Sequence, residues 1–208
     1  MKIIQKGKWG NSDVYLDGHG DHLFVVKTFK NHSVFIKNTI GRFLISREYN
    51  ALKKLSFCFG TADNINRHGK FSLSYRYIKG ENLSSFLRHK NKLSKNFFVK
   101  LEKTVKEMHS CGIVHLDLRT GSNIIVSERK DPLIIDFQSY INLNLVPGKM
   151  LKKCLKVIDI SGVYKHWEKI SPETMSRLQK ERLVSVNKKR NFWLLKGYML
   201  QKFMKHKH

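Results

Sequence analysis

Apolar positions recur with a period of two early in the chain and near 3.6 further on, and each run predicts an element. In L-F-V-V-K-T-F, Leu23, Val25, Lys27 and Phe29 share one face of a strand while Phe24 and Val26 share the other. The stretches M-K-I-I-Q-K-G-K-W-G and N-S-D-V-Y-L predict two earlier strands around a turn containing Gly7 and Gly10, and Asp17 to Asp21 reads as the next turn. From Ile40 to Leu55, the residues Ile40, Phe43, Leu44, Ala51, Leu52 and Leu55 predict one helical face, with Glu48 on it. Ser56 to Lys70 is polar and irregular, as a connecting loop would be, and F-S-L-S-Y-R-Y-I then predicts a strand ending in a turn at Gly80. From Ser94, Phe98, Leu101, Val105 and Met108 at 3-4-3 spacing predict a buried helix that ends near Gly112. Ile124 to Val126 and Leu133 to Ile135, flanking the turn Ser127 to Pro132, predict a hairpin of two short buried strands. Ser139 to Gly148 reads as a short loop, and the remainder alternates apolar and basic residues in two or three predicted helices.

The polar residues that interrupt these patterns are the candidates for chemistry. Lys27 sits in a strand that is largely apolar on both faces, where a lysine is costly unless paired, and Glu48 on the following helix is a partner on offer. A solvated lysine and a helix-surface acid are the plainer account of the same two residues. Asn123 stands just before the first hairpin strand, Asp136 just after the second, and Asp117 in the loop that leads in. Three oxygen-bearing side chains can thus converge on one spot, a site for a hard cation and a proton acceptor. Gly7 and Gly10 let backbone N–H groups approach phosphates without a Cβ in the way, although an ordinary hairpin turn carries the same two residues.

Charge changes the picture more than composition does. Lys and Arg outnumber Asp and Glu by 40 to 16, a formal net charge of +24. That balance favours anionic partners: nucleic acid, an anionic membrane surface, or a phosphorylated glycan or lipid. Cys58, Cys111 and Cys154 are odd in number and widely spaced, which argues for a reducing compartment and against a disulfide framework or a zinc site. No segment reads as a signal peptide or a membrane span, so the expected location is the cytoplasm, with peripheral attachment to the inner face of the membrane as a variant. Leu151 to His208 carries 15 Lys and Arg against 4 Asp and Glu. Within it, Phe192, Trp193 and Tyr198 are interleaved with lysines, a mixture suited to a membrane interface, to RNA, or to a last helix packed on the core with a solvated basic face.

The stretch G-I-V-H-L-D-L-R-T-G-S-N followed by P-L-I-I-D-F-Q-S-Y resembles the catalytic loop and metal-binding strand end of the protein-kinase superfamily. The resemblance implies an α+β, two-lobed protein-kinase-like fold, with an N-lobe over residues 1–78 and a reduced helical C-lobe over residues 79–208. It implies ATP and Mg²⁺ as cofactors, Asp117 as catalytic base, His115 as structural support, Arg119 beside the transferred phosphate, and Asn123 and Asp136 as metal ligands. Lys27 would then bind the nucleotide phosphates with Glu48 as its ion-pair partner. Gly7 and Gly10 would form a degenerate nucleotide loop, Val14 would cover the adenine, and backbone groups near Tyr77 and Ile78 would meet it.

This chain departs from the pattern in two places. The span from Asp117 to Asn123 is one residue longer than the usual loop, an excess expected at Thr120-Gly121, and D-F-Q replaces D-F-G, which removes a glycine hinge. No A-P-E or long activation segment follows Phe137, so the chain looks most like compact bacterial relatives of RIO-type kinases and lipopolysaccharide core sugar kinases. The implied function is ATP- and Mg²⁺-dependent phosphotransfer to a hydroxyl on a lipopolysaccharide core sugar or related glycan. A RIO-like protein kinase acting near RNA is the alternative acceptor reading. A catalytically inactive pseudokinase and a nucleic-acid-binding module are readings of a different class.

Overall fold

Period-two alternation in the first part of the chain becomes a five-stranded antiparallel sheet of order β1-β2-β3-β5-β4. The computed structural model describes residues 2–7, 10–20, 22–89 and 92–190. Its sheet comprises β1 (Lys2–Gln5), β2 (Asp13–His19), β3 (His22–Thr28), β4 (Asn66–Arg67) and β5 (Ser72–Arg76). Val14 lies opposite Lys27 across β2 and β3, and Lys27 opposite Leu73 across β3 and β5. The turn expected over Asp17 to Asp21 is shorter, because β2 runs on through Asp17 and Gly18 until His19 pairs with His22. Polarity there reflects the solvated outer end of the strands and does not break the ladder.

The helix after β3 begins in three pieces: α1 (Val34–Ile36), a π turn (Lys37–Gly41) and α2 (Arg42–Lys54). The face expected from Ile40 to Leu55 is corrected at its start. Ile45, Glu48, Ala51 and Leu52 are buried, whereas Ile40 and Phe43 stand 47% and 58% exposed. Ile40 falls inside the π turn, where the 3.6-residue phase does not hold, and Phe43 lies in α2 off the face of Glu48, with the Arg47 guanidinium 5.2 Å from its ring centroid. Gly41 is the point of closest approach to the sheet, since a Cβ there would lie 2.7 Å from Cγ of the buried Phe29.

Beyond the connector at residues 77–79 come β6 (Gly80–Asn82), α3 (Leu83–Arg88) and α4 (Lys95–Ser110), with Asn82 and Ser94 capping the two helices through their side-chain oxygens. Then come β7 (Ile113–Val114), β8 (Ile124–Ser127), β9 (Pro132–Ile134) and β10 (Ile141–Asn142). A three-stranded sheet of order β6-β8-β9 contains the predicted hairpin, in register Ile124↔Ile134 and Ile125↔Leu133. The segment Ser139 to Gly148, read as a loop, holds β10, which pairs with β7 through Ile141↔Val114. Two residues are too few to register as periodicity.

The described chain closes with α5 (Lys149–Ile170) and α6 (Arg177–Arg190). The predicted face of α4, Phe98, Leu101, Val105 and Met108, is the buried one, and it meets Val163, Tyr164 and Trp167 of α5. Phe98 and Trp167 stack with centroids 5.2 Å apart and planes 12° apart. Among the described residues no helix is long and apolar enough to cross a membrane. The interfacial reading of Phe192, Trp193 and Tyr198 falls outside the described residues. The architecture is α+β, an antiparallel sheet with one long helix followed by a mainly helical part.

Gly41→Ala is expected to destabilise the protein by about 1–3 kcal/mol in spite of alanine's higher helix propensity, because the added methyl overlaps the Phe29 ring. Thermal denaturation of the two proteins measures it.

Candidate active site

Lys27 brings the sheet, α2 and the end of β9 to one point. Its Nζ lies 2.7 Å from Glu48 Oε1 and 3.2 Å from Asp136 Oδ1. Strand alternation turns Lys27 inward from β3, and the α2 phase places Glu48 opposite it, with Glu48 wholly buried. Burial opposes the charge on Lys27, yet Glu48 foremost, together with Asp136, outweighs burial and holds the ammonium above the usual lysine range. Burial pushes the Glu48 carboxyl up, and Lys27 pulls it the other way. Asp136 is partly buried, but the Lys27 ammonium outweighs that and lowers its carboxyl below the usual range.

The loop between β7 and β8 carries the second cluster. Asn123 Nδ2 donates to Asp117 Oδ2 at 2.9 Å and to the Asp117 carbonyl at 3.1 Å. The amide nitrogen is thereby committed to Asp117, and Oδ1 is the Asn123 atom with the chemistry to meet a cation. The extra loop residue is taken up at Gly121, whose φ of +77° is a left-handed conformation that brings Asn123 back towards Asp117.

His115 ties this loop to the strand end. Its Nε2 lies 2.9 Å from the Ile135 carbonyl and is therefore the protonated nitrogen, while Nδ1 accepts the Asp117 backbone N–H at 3.3 Å. The ring also packs edge-on against Phe137, centroids 4.9 Å apart. Arg119 is held from the side of the last helices: Nη1 donates to Ser161 Oγ at 2.6 Å and Nη2 to Asn187 Oδ1 at 3.1 Å. Its charge thus sits where α5 and α6 meet the loop.

The remaining residues singled out in the sequence lie on β2, on the turn before it and on the connector. Gly7 N–H donates to Asp13 Oδ1 at 2.9 Å, and Gly10 adopts φ +92° beside Ile40. Val14 sits on β2 opposite Lys27. In the connector, Tyr77 N–H is spent on the Leu23 carbonyl at 2.8 Å, so only the remaining backbone groups of Tyr77 and Ile78 are left to meet a base. Tyr77 and Ile78 also line a cavity of about 690 Å³, shared with Cys58, Asp63, Arg129 and Pro132, and none of Lys27, Asp117, Asn123 or Asp136 borders it.

Sequence reasoning missed Asp159. This α5 carboxylate is 1% exposed and accepts from His115 N at 2.7 Å, Leu116 N at 2.7 Å and His109 Nε2 at 3.1 Å. Leu116 has φ +68° and Asp136 φ +65°, left-handed conformations that are strained in residues with a side chain. Asp159 holds the first of them in place. The available signal was a single acid between apolar neighbours in V-I-D-I, where burial demands partners. His166 was missed as well. It donates from Nε2 to the Leu118 carbonyl at 3.0 Å, and burial lowers its pKa to about 4, so it supports the loop as a neutral ring.

The donor set fits Mg²⁺. It offers one carboxylate and one amide oxygen, and among the described residues no three His, Cys, Asp or Glu gather to hold a metal without further ligands. Mg²⁺ keeps several positions for water and phosphate, so two protein oxygens suffice. Replacing Asp159 by Asn sets an N–H donor against one of the backbone N–H groups it serves. A loss of about 2–4 kcal/mol in unfolding free energy is expected, read by denaturant titration.

The family model described as protein kinase domain matches residues 1–180. The match runs from the first strand through the loop and both strand ends into the start of α6, and so spans Lys27, Glu48, Asp117, Asn123, Asp136 and Asp159. On fold, site and match together, the chain belongs to the protein kinase domain family.

Proposed function

We propose that the chain transfers the γ-phosphoryl group of ATP to a hydroxyl, with a lipopolysaccharide core sugar or related glycan as acceptor. The observation that carries this reading is Lys27 held between Glu48 and Asp136 at 2.7 and 3.2 Å. A buried ion pair is weak support for stability, because desolvation offsets its attraction, so its retention is better explained by use. Asn123 against Asp117 supports the same reading.

The residues divide the work by position. An ammonium has three N–H donors; with Glu48 and Asp136 holding two, Lys27 presents the third to phosphate oxygens. Asp136 Oδ2 and Asn123 Oδ1 are the atoms that would hold Mg²⁺, and bound there the ion neutralises phosphate charge. Asp117, with Oδ2 tied to Asn123, presents Oδ1 to the acceptor hydroxyl and takes its proton as the oxygen–phosphorus bond forms and ADP leaves. His115 and Asp159 fix the Asp117 backbone, and Arg119 keeps a positive charge beside the loop. Nucleotide would enter between the part up to residue 78 and the part from residue 79.

The chain beyond the strand end at Asp136 favours a glycan acceptor. After the turn at Phe137–Ser139 the described residues pass through β10 directly into α5 at Lys149, without the long segment between strand end and helix that a peptide-gripping kinase carries. The +24 charge suits a phosphorylated, membrane-associated glycan. Purified protein with γ-labelled ATP, Mg²⁺ and a crude cell-envelope fraction is expected to place label in a glycolipid or glycan band, and Asp117→Ala to slow transfer by about 10²–10⁴-fold. Label on protein instead would favour the RIO-like reading. No Asp117-dependent transfer to any acceptor would overturn the phosphotransferase reading in favour of a pseudokinase.

A further inference from the structure

The pair with Lys27 uses only one oxygen of Glu48. The other, Oε2, accepts from Gln138 Nε2 at 3.2 Å. Glu48 is wholly buried, so without that donor Oε2 would lack a hydrogen-bond partner, one that solvent could not replace. Gln138 stands two residues past Asp136, in the short 3-10 turn Phe137–Ser139. Arg47, beside Glu48 on α2, grips the same turn from outside. Its Nε donates to the Gln138 carbonyl at 3.0 Å, Nη2 donates to the Tyr140 carbonyl, and the guanidinium lies 4.9 Å from the Tyr140 ring centroid.

Consecutive residues of α2 therefore hold one turn, the Arg47 guanidinium through the turn's backbone carbonyls and the Glu48 carboxylate through the Gln138 side chain. The contacts close a ring: Asp136 to Lys27, Lys27 to Glu48, Glu48 to Gln138, and along the chain back to Asp136. A glycine in place of Gln138 would leave the ring open.

We propose that Gln138 is a positioning residue, whose amide holds Glu48 Oε2 so that Glu48 Oε1 orients Lys27 towards nucleotide phosphates, with Arg47 fixing the turn that carries it. This rests on the phosphotransferase reading and adds to it a residue the reaction never touches. Swinging α2 away from the site breaks the Arg47 and Gln138 bonds together, so the phosphate-binding pair is assembled before nucleotide arrives.

The test is Mg²⁺·ADP affinity and amide hydrogen exchange of the purified full chain. Gln138→Met keeps length and removes the donor, and about tenfold weaker ADP binding is expected. Gln138→Gly is expected to show a similar loss and faster exchange of the α2 amides. The amide acts through Glu48, so adding Gln138→Met to Glu48→Gln should weaken binding by no more than about twofold beyond Glu48→Gln alone. Wild-type affinity in both Gln138 variants, or a loss that adds in full to that of Glu48→Gln, would overturn the proposal. Failure of the wild type to bind Mg²⁺·ADP would sink the phosphotransferase reading itself, and unchanged α2 exchange in Gln138→Gly would then sink the clasp independently.

Discussion

A lysine cannot be buried alone, and that constraint organises the molecule. Lys27 enters a strand whose neighbours are apolar, so an acid must reach it through the core, and α2 is oriented on the sheet such that Glu48 does so at 2.7 Å. The sheet, the helix and the end of β9 are therefore not independent. Displacing any one leaves a charge in low dielectric without its counterpart, a loss of about 3–5 kcal/mol for a buried pair broken on one side. The same ammonium reaches Asp136 at 3.2 Å, which lowers that carboxyl and keeps it an anion.

The loop between β7 and β8 obeys a parallel rule with backbone in place of side chain. Leu116 at φ +68° is held because its N–H and that of His115 both end on Asp159, a buried α5 carboxylate. Local strain is thus balanced by a residue far along the chain, so the loop is defined only once α5 has docked on α4 through contacts such as Phe98 on Trp167. His115 carries the constraint on to the Ile135 carbonyl, one residue before Asp136. The proposed base and the proposed metal ligands share one rigid frame.

The local elements were legible in the sequence because their signals are local. Strand alternation around Lys27, the 3-4-3 spacing of α4 and the paired runs of β8 and β9 need only neighbouring residues to be read. Lys27 and Glu48 stood out because each interrupts an apolar face. Ile40 was misread because it falls inside a π turn, Lys37–Gly41, and no composition signal marks such a turn. Asp159, and the bond from Gln138 to Glu48, escaped for a different reason. Their meaning lies in partners 43 to 50 and 90 residues away, and periodicity carries no information about pairing at that range. Arg119 was placed beside the phosphate by its position in the motif, whereas its guanidinium bonds Ser161 and Asn187, on helices the loop sequence cannot foretell.

The central claim is that Lys27, Asp136 and Asn123 form one site for nucleotide phosphate and Mg²⁺. A crystal structure with Mg²⁺ and a non-hydrolysable ATP analogue tests it most directly. The account predicts a phosphate oxygen about 3 Å from Lys27 Nζ and a metal about 2.1 Å from oxygens of Asp136 and Asn123. Analogue bound instead in the cavity lined by Cys58, Asp63 and Arg129, with no ion on Asp136, would contradict it.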